Sequence, residues 1–124
     1  MKQKLARILI VLLVVAAPIG RLRAEEKQPD ITLTGTIVDM YCYVTHGSRD
    51  AGHTACANAC IARGVPAGFL ANDGTLYVLF GEKPFSVKDQ VKDLADVPIR
   101  LTGTPVVRSG AKGIQIKSIE KVKS

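Results

Sequence analysis

The sequence has no G-x-S-x-G, no H-E-x-x-H, no glycine-rich phosphate loop and no motif that places two acids together. It therefore presents none of the standard serine-hydrolase, zinc-protease or nucleotide sites. C-x-x-C is missing, which removes the usual thioredoxin-like dithiol. C-x-x-C-H is missing too, which removes covalent c-type haem. No cysteine precedes Cys42, so no lipoprotein anchor is expected at that end. The longest uncharged apolar run, Ile8–Ala17, falls short of the ~20 residues that a membrane span needs.

That run follows Met1-Lys2-Gln3-Lys4-Leu5-Ala6-Arg7. A basic start before a short apolar stretch is the secretory pattern, so residues 1–24 are expected to be a signal peptide cleaved after Ala24. Leu22 is not small, and Arg21 and Arg23 follow the run, so an uncleaved anchor is the competing expectation. Residues 25–124 are then a single exported domain, periplasmic or secreted. Five of the seventeen basic residues belong to the segment 1–24, which leaves twelve against eleven acidic ones. The whole-chain charge of +6 becomes +1, and the case for a nucleic-acid partner falls with it. Lys112, Lys117, Lys121 and Lys123 read as a solvated strand and tail interrupted by Glu120. Membrane contact is expected only through residues 1–24. The partner is otherwise an unidentified envelope protein or small ligand.

Export gives the cysteines meaning. All three, and both histidines, lie in the nineteen residues from Cys42 to Cys60. Outside the cytosol thiols tend to pair, and three cannot all pair within one chain.

The remaining pattern is mainly β with short helices. Residues 31–44 alternate and are rich in β-branched side chains, which predicts a strand with a bend or bulge at Gly35. Residues 45–52 are turn-rich. His53–Arg63 is an Ala-rich helix stopped by Gly64 and Pro66. Asn72-Asp73-Gly74 predicts a hairpin between two strands, 68–71 and 75–80. Ser86-x-x-Asp89 resembles a capping box, with Val87, Val91 and Leu94 on one helical face. Strands 99–107 and 113–122 follow. In the last, Ile119 breaks the alternation of Ile114 and Ile116, the signature of a bulge. Ile31-Thr-Leu-Thr-Gly-Thr-Ile37 echoes Ile99-Arg-Leu-Thr-Gly-Thr-Pro105. A glycine needed at a barrel corner accounts for both copies.

This order predicts a five-stranded OB-like barrel, with a helical Cys/His insertion between strands 1 and 2 and a second helix between strands 3 and 4. The pattern Gly35-x-Ile-x-Asp39-x-x-Cys42-Tyr43, His53-x-x-Cys56-Ala57-x-x-Cys60, Gly64-x-Pro66-x-Gly68 resembles small uncharacterised exported bacterial OB-fold proteins with a Cys/His-rich insertion. That resemblance implies a fold and an exported location, and no activity.

Three readings of the cluster stand side by side. On a helix, His53, Cys56 and Cys60 form one stripe at i, i+3, i+7. With Cys42, and with His46 as a further candidate, they make a Cys₃His set for Zn²⁺ or, through soft thiolates, Cu(I). Alternatively Cys42 pairs with Cys56 or Cys60 and staples the loop, a bond worth ~3 kcal/mol in the chain-entropy argument. Cys56 with Cys60 is the poor pair, one helical turn apart. The third reading makes the cysteines core filler. His46 reads first as an exposed loop residue. Asp39 is either a turn cap or a carboxylate that orients His53 or His46. No motif supports an enzyme; a Cys nucleophile assisted by His53 is the one arrangement left. The expected function is therefore a non-enzymatic exported protein that binds a soft metal or handles thiol redox chemistry. The alternative is a disulfide-stapled OB-like module for a peptide, glycan or protein.

Overall fold

A computed structural model describes residues 28–123. The expected signal peptide lies outside the described residues. Among the described residues, no helix is long and apolar enough to cross a membrane. The elements run β1 (Ile31–Asp39), α1 (Met40–His46), α2 (Thr54–Ala62), β2 (Ala67–Ala71), β3 (Leu76–Phe80), α3 (Val87–Gln90), β4 (Pro98–Arg108) and β5 (Ala111–Lys121). The five strands close on one another in the order β1-β2-β3-β5-β4. All neighbours are antiparallel except β3 and β5.

β1 is shared between two partners. Residues 31–36 pair with β4, and residues 35–39 pair with β2. Gly35 and Thr36 belong to both ladders, so the sheet turns its corner there. The two L-T-G-T copies pair with each other. Leu33 faces Leu101, Gly35 faces Ile99 and Gly103 faces Ile31, while the Thr32 and Thr102 hydroxyls hydrogen-bond at 2.8 Å. Each glycine thus accepts the close approach of a neighbouring strand opposite an isoleucine of the other copy.

Inward-facing side chains fill the sheet. Ile37, Phe69, Ile99, Leu101 and Ile114 are fully buried, and Ala57 and Ile61 of α2 join them. The expected bulge sits in β5. Thr102 faces Ser118 but Gly103 faces Ile116, so Lys117 is the extra residue. The one-residue slip returns Ile119 to the core side. The hairpin forms at Asn72–Thr75 as expected. Gly74 has φ +85°, and the Thr75 amide donates to Asp73 Oδ1 at 2.8 Å. That bond holds the Asp73 carboxyl below its usual range.

Two expectations require correction. The first strand does not continue to Val44; it stops at Asp39, and residues 40–46 are a helix. Asp39 caps that helix by accepting from the Cys42 amide at 2.8 Å, and Gly47, at φ 70°, closes it. The β-forming Tyr41, Tyr43 and Val44 suggest a strand, but Tyr41 and Val44 have no partner strand and are exposed. The insertion therefore holds two short helices. The capping box at Ser86 is also not formed. Ser86 is itself in the helical region and makes no cap bond. Its hydroxyl donates to the Lys83 carbonyl at 2.8 Å instead. The helix lasts only four residues, and Val91 reaches the core from the turns beyond it. Asp93 and Asp96, both at positive φ, shape those turns.

A candidate metal centre of Cys42, His53 and Cys56

The site is assembled where β1 ends. Asp39 is fully buried and serves two elements with its two oxygens. Oδ1 caps α1 and so fixes the start of the helix that carries Cys42. Oδ2 points across to His53 Nε2 at 3.7 Å. Of the two expectations for Asp39, the cap is formed; the carboxylate also lies near His53, but no hydrogen bond joins it to the ring.

α2 is held on two sides. Ala57 and Ile61, one turn apart, face the core. Thr54 and Asn58, also one turn apart, tie the helix to residues 95–96. Thr54 Oγ1 donates to Asp96 Oδ2 at 3.1 Å, and Asn58 Oδ1 accepts from the Ala95 amide at 3.1 Å. Burial pushes the Asp96 carboxyl up, and the Thr54 bond works against that shift. The same segment bonds back to β1 through the Asp96 amide and the Ile37 carbonyl at 2.9 Å. Nothing in the sequence periodicity marks Thr54, Asn58 and Asp96 as these supports. The third side of α2 carries the expected stripe of His53, Cys56 and Cys60. His53 is the residue before the helix, its amide held by the Asp50 carbonyl at 2.9 Å.

These constraints bring Cys42, His53 and Cys56 together. One ligand atom from each lies within 4.8 Å of the others, close enough to hold a metal ion. Cys42 lies on α1, Cys56 on α2, and His53 just before α2. Cys60 is not in this group; it lies one turn beyond Cys56 on α2. His46 is not in it either, and its ring stands edge-on to Tyr41 with centroids 6.4 Å apart. All three cysteines are free thiols, with Cys56 exposed and Cys42 and Cys60 half-buried.

Three buried polar atoms beside this group lack hydrogen-bond partners. Among the described residues, the buried side-chain polar atoms with no hydrogen-bond partner are Asp39 Oδ2, His53 Nδ1 and His53 Nε2. Each such orphan costs on the order of 1–3 kcal/mol. The Cys42 thiol is pushed up to about 11, first by burial and then by the Asp39 carboxylate. Burial and the Cys56 thiol raise Cys60, while the Arg63 charge lowers it. In the metal-free reduced protein at pH 8, we expect Cys42 to react with iodoacetamide about a hundredfold more slowly than an ordinary thiol. Mass mapping of the alkylated peptides over time checks this; equal rates for Cys42 and an unfolded-chain control would contradict it.

Two surfaces flank the site. α1 and the loop after it overhang a cleft of about 890 Å³ lined by Tyr43, Val44, Arg49, Leu70, Asn72 and Leu76. A groove of about 640 Å³ runs past Ile61, Pro66, Phe80, Phe85 and Val87, with Phe85 90% exposed. The aromatic residues thus divide. Phe69 is core, Tyr43 lines the cleft, and Tyr41, Phe80 and Phe85 stand out at the surface. Searches of protein-family models, curated proteins and solved structures find no match to this chain.

Proposed function

We propose that this protein is an exported OB-like domain that binds one soft metal ion through Cys42, His53 and Cys56. The observation that carries the reading is the orphaned polar pair behind the two thiols: a fully buried carboxylate and a histidine with neither ring nitrogen satisfied. A cation at the three-residue group satisfies one imidazole nitrogen and converts two thiols to thiolates. It leaves Asp39 as the anion behind the imidazole, the arrangement that orients metal-bound histidines. Two thiolates and an imidazole satisfy Cu(I) as they stand, whereas tetrahedral Zn²⁺ takes a fourth ligand. Cu(I) is accordingly the first choice and Zn²⁺ the second. The strand order and the helix-bearing insertion after β1 support the OB-like description, and the basic-then-apolar start supports export.

The test is a titration of the reduced full chain with Cu(I), and separately with Zn²⁺, against a competing chelator. One equivalent bound, with the Cys42 and Cys56 thiols protected from alkylation, is the expected result. Binding no tighter than to an unfolded chain with the same cysteines sinks the reading. The apolar groove beside Phe85 favours a second reading, a binding module in which Cys42 and Cys56 form a disulfide. Recovery of the native protein with one free thiol and no metal would favour it.

A further inference from the structure

Phe85 is the most exposed large apolar side chain among the described residues, at 90%, and its φ of 66° is one that bulky residues rarely adopt. The chain makes a tight turn there. The Ser86 amide donates to the Lys83 carbonyl at 3.2 Å, and Pro84 holds the second position of the turn at negative φ. Positive φ at the third position is the pattern of a type II turn, which ordinarily takes Gly or Asn. Two features hold the aromatic in that place. The Ser86 hydroxyl bonds to the Lys83 carbonyl, and Gly81 admits Ser86, since a Cβ on Gly81 would collide with Ser86 Oγ. An exposed aromatic ring and a strained backbone both oppose folding, and strain of this kind collects at ligand-binding sites.

Phe85 lines the groove of about 640 Å³, together with Ile61, Phe80 and Val87. That volume falls in the range of small-molecule sites, about 300–1,000 Å³. Arg63 and Lys88 also line the groove, both exposed, and no acidic side chain does. Among the described residues neither cation is held in an ion pair. The groove is thus complementary to an apolar body with a negative end. β3, which supplies Phe80, already has β2 on one side and β5 on the other. An extended peptide would find no open strand edge there for its amides, whereas an acyl chain has no amides to satisfy.

We propose that this groove binds the anion of a medium-chain fatty acid. The acyl chain lies along Ile61, Phe80 and Val87 and covers the Phe85 ring, and the carboxylate meets Arg63 and Lys88. Removing the chain and the ring from water supplies the affinity. The two cations select a carboxylate over a neutral or cationic head group, because hydrogen bonds between ionised partners are the stronger ones. None of Cys42, His53 and Cys56 lines the groove, so this site stands or falls independently of the metal reading.

The experiment measures binding of radiolabelled dodecanoate to the full chain by equilibrium dialysis, with dodecanol, dodecyltrimethylammonium and a short apolar peptide with a free C-terminal carboxylate as competitors. One equivalent of dodecanoate bound, displaced poorly by all three competitors, is the expected result. Phe85→Gly should weaken binding by about tenfold or more, since the chain loses the ring it covers. Its Tm should be unchanged or raised, because Gly suits the turn and Phe does not. A residue with a merely structural role would lower Tm instead. Arg63→Gln with Lys88→Gln should weaken dodecanoate by about tenfold or more and leave dodecanol unaffected. Dodecanoate binding that is absent, or that is unchanged in either variant, overturns the proposal. So does tighter binding of the peptide, which makes the groove a peptide site. A dimer of the parent chain in sedimentation that Phe85→Gly dissociates overturns it as well, since a second copy is then the occupant.

Discussion

Gly35→Ala is expected to destabilise the domain by ~3 kcal/mol or more, the upper range for overpacking, and to lower Tm by ~12 °C or more. A methyl group on Gly35 would land on the carbonyl oxygen of Leu70 and 2.9 Å from Ala71 Cα. Those atoms are backbone of β2, so no side chain can turn aside. Relief requires β1 to draw away from β2 at the residue where it passes from one ladder to the other. Ile37 and Phe69, paired two residues farther along, would separate with it. Gly103→Ala should behave similarly, because its methyl would meet the Gln115 carbonyl oxygen and lie 2.5 Å from Ile114 Cγ2. Gly74→Ala is the control. Its methyl would meet nothing within 4 Å, and only the positive φ opposes it, a strain of ~1 kcal/mol. Thermal and urea unfolding of the three variants checks the order. A Gly35→Ala protein as stable as Gly74→Ala would show that the two strands are not packed as described.

The second large effect is expected at the metal centre. Carboxylates behind metal-bound histidines typically contribute 10–100-fold in affinity, so Asp39→Asn should weaken Cu(I) or Zn²⁺ binding by about that factor. Cys42→Ser and Cys56→Ser remove a ligand outright and should weaken it by at least about a hundredfold. Asparagine is as good a helix cap as aspartate, so Asp39→Asn keeps the bond to the Cys42 amide and removes only the charge. Its apo form should therefore retain α1. Removing that charge has a second, opposite consequence. The Asp39 carboxylate helps to raise the Cys42 thiol, so the thiol of the variant should ionise at lower pH and alkylate faster than the parent's. Weaker metal binding together with a more reactive thiol is a combination that simple unfolding of α1 would not single out, since chelator-competed affinity and Cys42 alkylation are measured separately. The pH dependence follows in sign. The Cys42 proton leaves only near pH 11 in the free thiol, and a bound cation must displace it. Affinity should fall as pH falls, by about tenfold per pH unit for each proton displaced. A flat profile between pH 6 and 8 would argue against thiolate ligation by Cys42.

What the sequence made legible follows the reach of each signal. The strand patterns read over 31–44 and 99–107, the Asp-Gly turn and the broken alternation at Ile119 are local signals, and they led to the right elements except that the first strand ends at Asp39. The stripe of His53 and Cys56 was equally readable, because helical spacing is fixed. The helix at 40–46 was hidden because its residues favour strand while its ends favour helix. Asp39 and Gly47 decide the matter, since a β-forming segment with no strand to pair with gains nothing from extension. The failed cap at Ser86 is the converse case. The motif is present, but Phe85 sits at positive φ and turns the chain so that the serine oxygen meets Lys83 instead. The separation of Cys60 from the three-residue group could not be read at all. It depends on how α1 and α2 are each set on the strands, through Asp39, Asp96 and the packing of Ala57 and Ile61.

The closure of β1 against β4 sets the order of events during folding. That ladder joins Ile31 to Gly103 across most of the domain. Contacts so distant in sequence are formed slowly, typically in milliseconds to seconds for β-rich domains. The three thiols are near neighbours along the chain and meet within about a microsecond of one another's reach, since short loops close in tens to hundreds of nanoseconds. Cys42, Cys56 and Cys60 therefore encounter each other many thousands of times before the sheet is closed. Disulfide formation takes seconds to hours, whereas an available metal ion can be captured as fast as the ligands assemble. Whichever partner reaches the thiols first therefore does so before the β1–β4 ladder closes, while Cys56 stays exposed once it has.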